Sequence, residues 1–364
     1  MTRLDEAYPG LSGPVGAASA RGTPLPEAVL GREVREEVGP RVVRDGRGRS
    51  LEYLRLSVTA RCNSRCVYCL PSGCPSESGP PLALAEIGRL VRAFAALGFW
   101  KVRVTGGEPT IRADIRGIVG CVATTPGVRR VGLTTNGYRL AGLAAGLRDA
   151  GLAALNVSLD SLLPARFAEL TGCDCMDRVV EGIEASVAAG IPSVKVNAVL
   201  LRGFDDSELD RFLRWTKDLP LTVRFIELMQ TGDNEAFFRE NHLPAEAIQG
   251  KLEARGWSPL AKSAADGPAA LYGHPDHRGR AGVIAPYTTG FCESCNRLRV
   301  SSKGDLRLCL FCEKEMPLRH LLERDDQAAE LQRLIELSVK GKPAAHRLRD
   351  GRCGAATTLA AIGG

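Results

Sequence analysis

No stretch of the sequence approaches the roughly eighteen consecutive apolar residues that a membrane-spanning helix needs, so no span is expected. The opening MTRLDEAYPG has no basic patch followed by an apolar run, so a secretory signal is not expected, and its acidic residues argue against a transit peptide. Charge of one sign is not gathered anywhere. The net +6 is spread along the chain, and without a basic stripe nucleic acid is not an expected partner. No internal repeat stands out beyond a strand–helix unit. The 364 residues, 44% hydrophobic and 25% charged, suffice for one large domain and a smaller one, with the cytoplasm as the expected location.

Cysteine, by contrast, is plentiful: there are twelve. With no secretory signal, a disulfide framework is not expected, and close spacings point to metal or redox chemistry. Six cysteines fall into two tight groups, Cys62, Cys66 and Cys69, then Cys292, Cys295 and Cys309. The others (Cys74, Cys121, Cys173, Cys175, Cys312 and Cys353) are scattered and read as free thiols packing as small hydrophobes.

Residues 1–44, rich in Gly, Pro, Ala and Arg without a sustained period, read as a disordered extension. From Leu51 short β-branched runs alternate with helical stretches. Strands are expected at Leu54–Thr59, Lys101–Thr105, Arg130–Thr134, Ala154–Leu159, Ser193–Val199 and Thr222–Ile226. Helices are expected near 84–97, 112–122, 139–150, 176–189 and 205–217. Alternation repeated about six times predicts an α/β fold, a parallel sheet curled into a full or partial barrel, with its site at the C-terminal strand ends. After about residue 240 the rhythm breaks. A strand at Val283–Pro286 and a hairpin of Arg297–Ser301 and Asp305–Cys309, turning at Lys303-Gly304, are expected before a helical stretch near 317–338.

The first triplet, Cys62-x3-Cys66-x2-Cys69, lies in the loop after the first strand. Three thiolates on a 4Fe–4S cluster leave one iron without a protein ligand, open to a chelating cofactor. Structural zinc takes four ligands, and Cys74 is the available fourth. The triplet's place after the first strand of a βα series, with Tyr68 before its last cysteine, resembles the radical S-adenosylmethionine superfamily. Thr105-Gly106-Gly107-Glu108-Pro109 follows the second strand, where glycines let backbone approach a ligand closely. Ser158, at the end of the fourth, suits a hydrogen bond to a ribose or carboxylate.

The second group, Cys292-x2-Cys295-x13-Cys309-x2-Cys312, reads from spacing alone as a zinc ribbon. Arg297 and Arg299, two apart on an expected strand, leave on one face, and paired arginines suit phosphate. Arg55 and Arg103 also lie on strands, where a buried unpaired arginine is costly unless an anion offsets it.

FCESCNRLRVSSKGDLRLCLF, the first triplet, TGGEPT, LTTNG, LNVSLD, FIELMQTG and the terminal Gly363-Gly364 together resemble the GTP 3′,8-cyclase family, from Asp45 to Gly364. The resemblance implies a partial (βα)6-type radical S-adenosylmethionine barrel over 45–240. It implies a smaller C-terminal domain over 241–364 that carries a second 4Fe–4S cluster and a Gly-Gly tail. It assigns Cys62, Cys66 and Cys69 to the first cluster and Cys292, Cys295 and Cys309 to the second. S-adenosylmethionine would meet Tyr68, Gly107, Ser158 and Met229. GTP would meet Arg55, Arg103, Thr134, Lys195, Arg297, Leu298 (by its backbone) and Arg299, with Arg55, Arg297, Arg299, Gly363 and Gly364 as the catalytic set. The implied reaction is radical cyclisation of GTP to 3′,8-cyclo-7,8-dihydro-GTP, the first step of molybdenum cofactor biosynthesis. The implied partners are a flavodoxin- or ferredoxin-type electron donor, cyclic pyranopterin monophosphate synthase as the next enzyme, and a second copy in a homodimer. A radical peptide-modifying enzyme and a zinc-ribbon binding protein are the competing readings. Cys312 has no ligand role in the family pattern, and the tail reads Leu359-Ala360 where the family has Met-Ser.

Overall fold

The computed structural model describes residues 42–71, 73–74, 79–261 and 267–354. The extension expected over 1–44 therefore lies almost wholly outside the described residues, as do Gly363 and Gly364. No helix among the described residues is long and apolar enough to cross a membrane.

Six strands alternate with helices: β1 (Tyr53–Ser57), β2 (Lys101–Thr105), β3 (Arg130–Thr135), β4 (Ala154–Ser158), β5 (Val194–Leu200) and β6 (Thr222–Glu227). They lie side by side in chain order and all parallel. This is the partial barrel that the alternation predicts. The chain after β6 does not build a separate sheet but extends both edges of this one. β9 (Arg280–Ile284) joins β6 in parallel, and β10 (Arg297–Val300) joins β1 in parallel. Antiparallel strands finish each side, β7 (Ser258–Pro259) and β8 (Ala270–Gly273) beyond β9, β11 (Asp305–Arg307) and β12 (Met316–Pro317) beyond β10. The expected hairpin is thus present, turning at Gly304 with φ 91°, a left-handed value that glycine adopts without strain.

Side-chain alternation explains the layering. Leu54, Leu56, Val102 and Val104 point outward and are fully buried beneath the helices, whereas Tyr53, Arg55, Lys101 and Arg103 point inward. α1 (Leu84–Ala96) lays Ile87, Leu90, Val91 and Phe94 onto that outer face, and Phe94 meets Phe99 edge-on at 4.9 Å. Glu86 closes α1's first turn by accepting from Ala83 N–H at 2.7 Å, and it also pairs with Arg319 at 2.8 Å, binding the barrel to the C-terminal segment. Further round come α2 (Ile115–Ala123), α3 (Ala144–Asp149) and α4 (Pro164–Thr171). α5 (Met176–Ala188) and α6 (Asp206–Asp218) complete the ring, with Asp205 capping α6 through Glu208 N–H at 2.9 Å. α7 (Glu235–Asn241), α8 (Glu246–Glu253) and α9 (Ala328–Val339) follow.

One cysteine reading differs. Cys173 and Cys175, expected as free thiols, are joined by a disulfide in the bend between α4 and α5, where the turn brings their Cα atoms to 5.4 Å.

Candidate active site

Inward-facing residues of β1–β6 and β10 wall a cavity of about 310 Å³, and both cysteine triplets line it. The loop carrying Cys62, Cys66 and Cys69 is tied down on two sides. Arg65 N–H and Val67 N–H donate to Thr171 O and Leu170 O at 2.9 and 3.0 Å, fixing it to the end of α4. Gly107 N–H and Glu108 N–H donate to Thr59 O and Arg61 O at 2.9 and 2.8 Å. A Cβ at Gly107 would sit 2.3 Å from Arg61 O, and one at Gly106 would sit 2.6 Å from Thr59 O. These glycines therefore have a nearer purpose than clearing space for a ligand: they admit the cysteine loop itself. Next to them Glu108, fully buried, accepts from Thr110 N–H (2.9 Å), Thr135 Oγ1 (2.7 Å) and Asn136 N–H (2.6 Å), which locks the ends of β2 and β3 together. Burial raises its carboxyl, and these hydrogen bonds partly offset that.

Tyr68 is held from both ends. Its hydroxyl donates to Asp160 at 2.7 Å, and its carbonyl accepts from Asn234 Nδ2 at 2.9 Å. The same Asn234 amide donates to Met229 O at 3.1 Å and its oxygen accepts from Thr231 N–H at 2.8 Å. One buried asparagine thus fixes two of the expected S-adenosylmethionine contacts. Cys74 stays outside this group, exposed, with its thiol against Cys62 N–H at 3.4 Å.

The second triplet is framed by residues 340–346. Arg49 fixes that segment by donating to Cys292 O, Ala344 O and Pro343 O at 2.9, 2.9 and 2.6 Å, its own fork set by Asp45 at 2.6 Å. Lys342, buried, donates to Arg297 O at 2.9 Å and to Leu308 O. Burial pushes the Cys295 thiol up, but the charges of Arg297 and Lys342 outweigh it and bring it down to about 7. Cys309 faces the cavity, while Cys312 turns its thiol to Lys314 O at 3.3 Å. Cys312 is not among the residues that line the cavity.

Between the triplets lies the charge. Register pairs Arg299 with Arg55 and Arg55 with Arg103, three arginines abreast on β10, β1 and β2. Like charges directly opposite on a sheet repel, and all three are largely removed from water. Burial, then the neighbouring charges, lowers Arg55 to about 10, Arg224 to about 9 and Lys195 to about 7. Arg103 is aimed by bonds to Tyr53 Oη and Leu133 O, both at 2.7 Å. The next position in its row is Gly132, where a Cβ would lie 2.7 Å from Arg103 Cζ. Arg224 donates twice to Asn197 Oδ1, at 2.9 and 2.6 Å. Thr134 Oγ1 and Asn156 Oδ1, also lining the cavity, are buried polar atoms without a hydrogen-bond partner among the described residues, as expected where a polar ligand belongs.

The structure brings Tyr68, Gly107, Ser158 and Met229 to the same cavity as Arg55, Arg103, Thr134, Lys195, Arg297 and Arg299. Leu298 points its side chain the other way, fully buried, so its backbone alone is available there. Sequence reasoning missed Tyr53, Lys101, Asn197 and Arg224; the first three lie two residues from a chosen one on the same strand, and Arg224 lies abreast of Asn197. Lys342 and His346 carried no such signal.

A family model described as the Radical SAM superfamily matches residues 56–216, and one described as Molybdenum Cofactor Synthesis C matches residues 221–348. The crystal structure of Streptococcus suis SuiB bound to S-adenosylmethionine aligns at a TM-score of 0.55 and 13% identity, over 80% of this chain and 68% of that one, a likeness of fold. Fold and family model define a radical S-adenosylmethionine enzyme, with that cofactor and an iron–sulfur cluster. A GTP 3′,8-cyclase of Stenotrophomonas maltophilia (strain R551-3) is 51% identical over 321 residues, 88% of this chain and 98% of that one. Another, from Aeromonas hydrophila, is 49% identical over 328 residues, 88% of this chain and 96% of that one. The chain belongs to the GTP 3′,8-cyclase family, whose reaction opens molybdenum cofactor biosynthesis.

Proposed function

We propose that this cavity converts GTP to 3′,8-cyclo-7,8-dihydro-GTP, with the arginine row holding the triphosphate between two cluster sites. The observation that carries the reading is the in-register row Arg299–Arg55–Arg103, beside Thr134 and Asn156 oxygens unpartnered among the described residues, in a cavity bordered by two thiol triplets. Three cationic forks abreast suit a polyanion, and a triphosphate is one.

The residues fit the implied cofactors. Cys62, Cys66 and Cys69 border the cavity on a loop that Gly106 and Gly107 brace, and they would hold the first 4Fe–4S cluster. When bound, that cluster and S-adenosylmethionine supply a 5′-deoxyadenosyl radical. Tyr68, Gly107, Ser158 and Met229 would hold S-adenosylmethionine, with Asn234 fixing the first and last of them. Cys292, Cys295 and Cys309 would hold a second 4Fe–4S cluster that anchors the guanine. Arg55, Arg103, Thr134, Lys195, Arg297, Arg299 and the Leu298 backbone would orient the nucleotide, with Lys101 and Arg224 completing its cationic wall. Gly363 and Gly364 would complete the catalytic set with Arg55, Arg297 and Arg299. The same reading carries a flavodoxin- or ferredoxin-type reductant, delivery of product to cyclic pyranopterin monophosphate synthase, a homodimer and a cytoplasmic location.

Anaerobic incubation with GTP, S-adenosylmethionine and a reductant, followed by product mass analysis and iron, sulfide and zinc counts, tests this. Cyclised nucleotide and two clusters per chain are expected. One bound zinc that needs Cys312, or no nucleotide product, would overturn it.

A further inference from the structure

Tyr53 is the one inward group at the base of the arginine row that is neither a cation nor an amide. It is buried, its hydroxyl accepts from Arg103 Nε at 2.7 Å and from Arg55, and Lys101 Nζ lies 4.6 Å above its ring. From β10 the registered neighbour is Arg297, with Arg299 two residues on, and from β6 the charge of Arg224 reaches the ring as well. Among the described residues the cavity's one carboxylate, Asp160, is already bonded to Tyr68 and to Val199 N–H. Among the described residues, the Tyr53 hydroxyl is the oxygen placed beside Arg103 and Arg55 that is able to carry negative charge.

We infer that Tyr53 is a positioning residue of the nucleotide site: as a phenolate it holds the forks of Arg55 and Arg103 in the free protein, and it takes a proton from solvent when a triphosphate takes over as their anion. Two further facts agree. Burial pushes the phenol up, but the charges of Arg103, Arg55 and Lys101 outweigh it and bring it to about 7. Tyr53 and Arg55 are two apart on β1, so strand alternation alone places the counter-charge beside the group it steadies. The inference rests on the reading of the cavity as a GTP site.

The test is GTP binding to the anaerobic, cluster-loaded enzyme without S-adenosylmethionine, by calorimetry in two buffers of different ionisation heat. The difference between buffers gives the protons taken up per nucleotide. Lys195 also titrates near 7 and is a second source, so two variants are needed. At about pH 8, Tyr53→Phe should lower the uptake by about one proton, whereas Lys195→Met should leave about one in place. Iron content equal to the parent shows that each variant is folded and loaded. Unchanged uptake in Tyr53→Phe, or none left in Lys195→Met, would overturn the inference. A weaker Kd in Tyr53→Phe with unchanged uptake would mean a neutral phenol that merely contacts the arginines. If the parent binds no GTP at all, it is the nucleotide reading that fails, and the inference with it.

Discussion

Gly132→Ala tests the arginine row without replacing any residue assigned to the ligand. The backbone at Gly132 is an ordinary strand, so alanine costs nothing in conformation and trims the freedom of the unfolded chain. The new Cβ, however, would lie 2.7 Å from Arg103 Cζ and 2.8 Å from Nη2. The obstacle is the tip of a long side chain, so the guanidinium swings away while the sheet stays put. Doing so breaks its bonds to Leu133 O and Tyr53 Oη and takes one fork out of the row. Losing one charge-assisted contact costs about 1.5–3 kcal/mol, or about one to two decades in GTP affinity. The expected pattern is therefore a thermal midpoint within a few degrees of the parent, full iron loading, and GTP binding weakened ten- to about a hundredfold. Parental affinity in a folded, loaded Gly132→Ala protein would refute the claim that Arg103 is aimed at the nucleotide.

Gly107→Ala should fail differently, because its Cβ would meet backbone 2.3 Å away that cannot swing; loss of iron from the first triplet, with S-adenosylmethionine cleavage abolished, is the expected readout. Cys312→Ser should keep the parent's iron content and GTP affinity, since its thiol faces Lys314 O, whereas Cys309→Ser should lose iron and weaken GTP binding. Deleting Gly363 and Gly364 should leave cofactor cleavage in place and abolish cyclised product, as product mass analysis against 5′-deoxyadenosine would show.

The barrel was legible because its strands advertise themselves. Lys101–Thr105 is β2 to the residue, and every other expected barrel strand overlaps its observed counterpart with no end shifted by more than two. Short helices were not legible. α4 spans two turns between Pro164 and a left-handed Gly172, too short for a period to show, and α7 and α8 follow where the rhythm had broken. Nor does local pattern reveal that β9 and β10 join the barrel's own sheet, since their partners lie more than fifty and more than two hundred residues away. At the site, motifs located the thiols and the arginine pairs. The inward phase of β2 and β5, set by Arg103 and Lys195, would also have yielded Lys101 and Asn197, whereas β6 carried no chosen residue to set the phase of Arg224. Lys342 was beyond reach from sequence: it sits in a segment that Arg49, some three hundred positions earlier, holds against Cys292.

The seam between β1 and β10 sets Arg55 against Arg299, so the strand pair that joins the barrel to the later part of the chain is drawn together by backbone and pushed apart by its inward side chains. A polyanion lying across that seam reverses the push. On the proposed reading of the cavity, nucleotide would then act as mortar as well as cargo, and the same charge that recognises the substrate would tighten the wall around it. On that reading, departure of the product would remove the mortar and leave the seam weaker again.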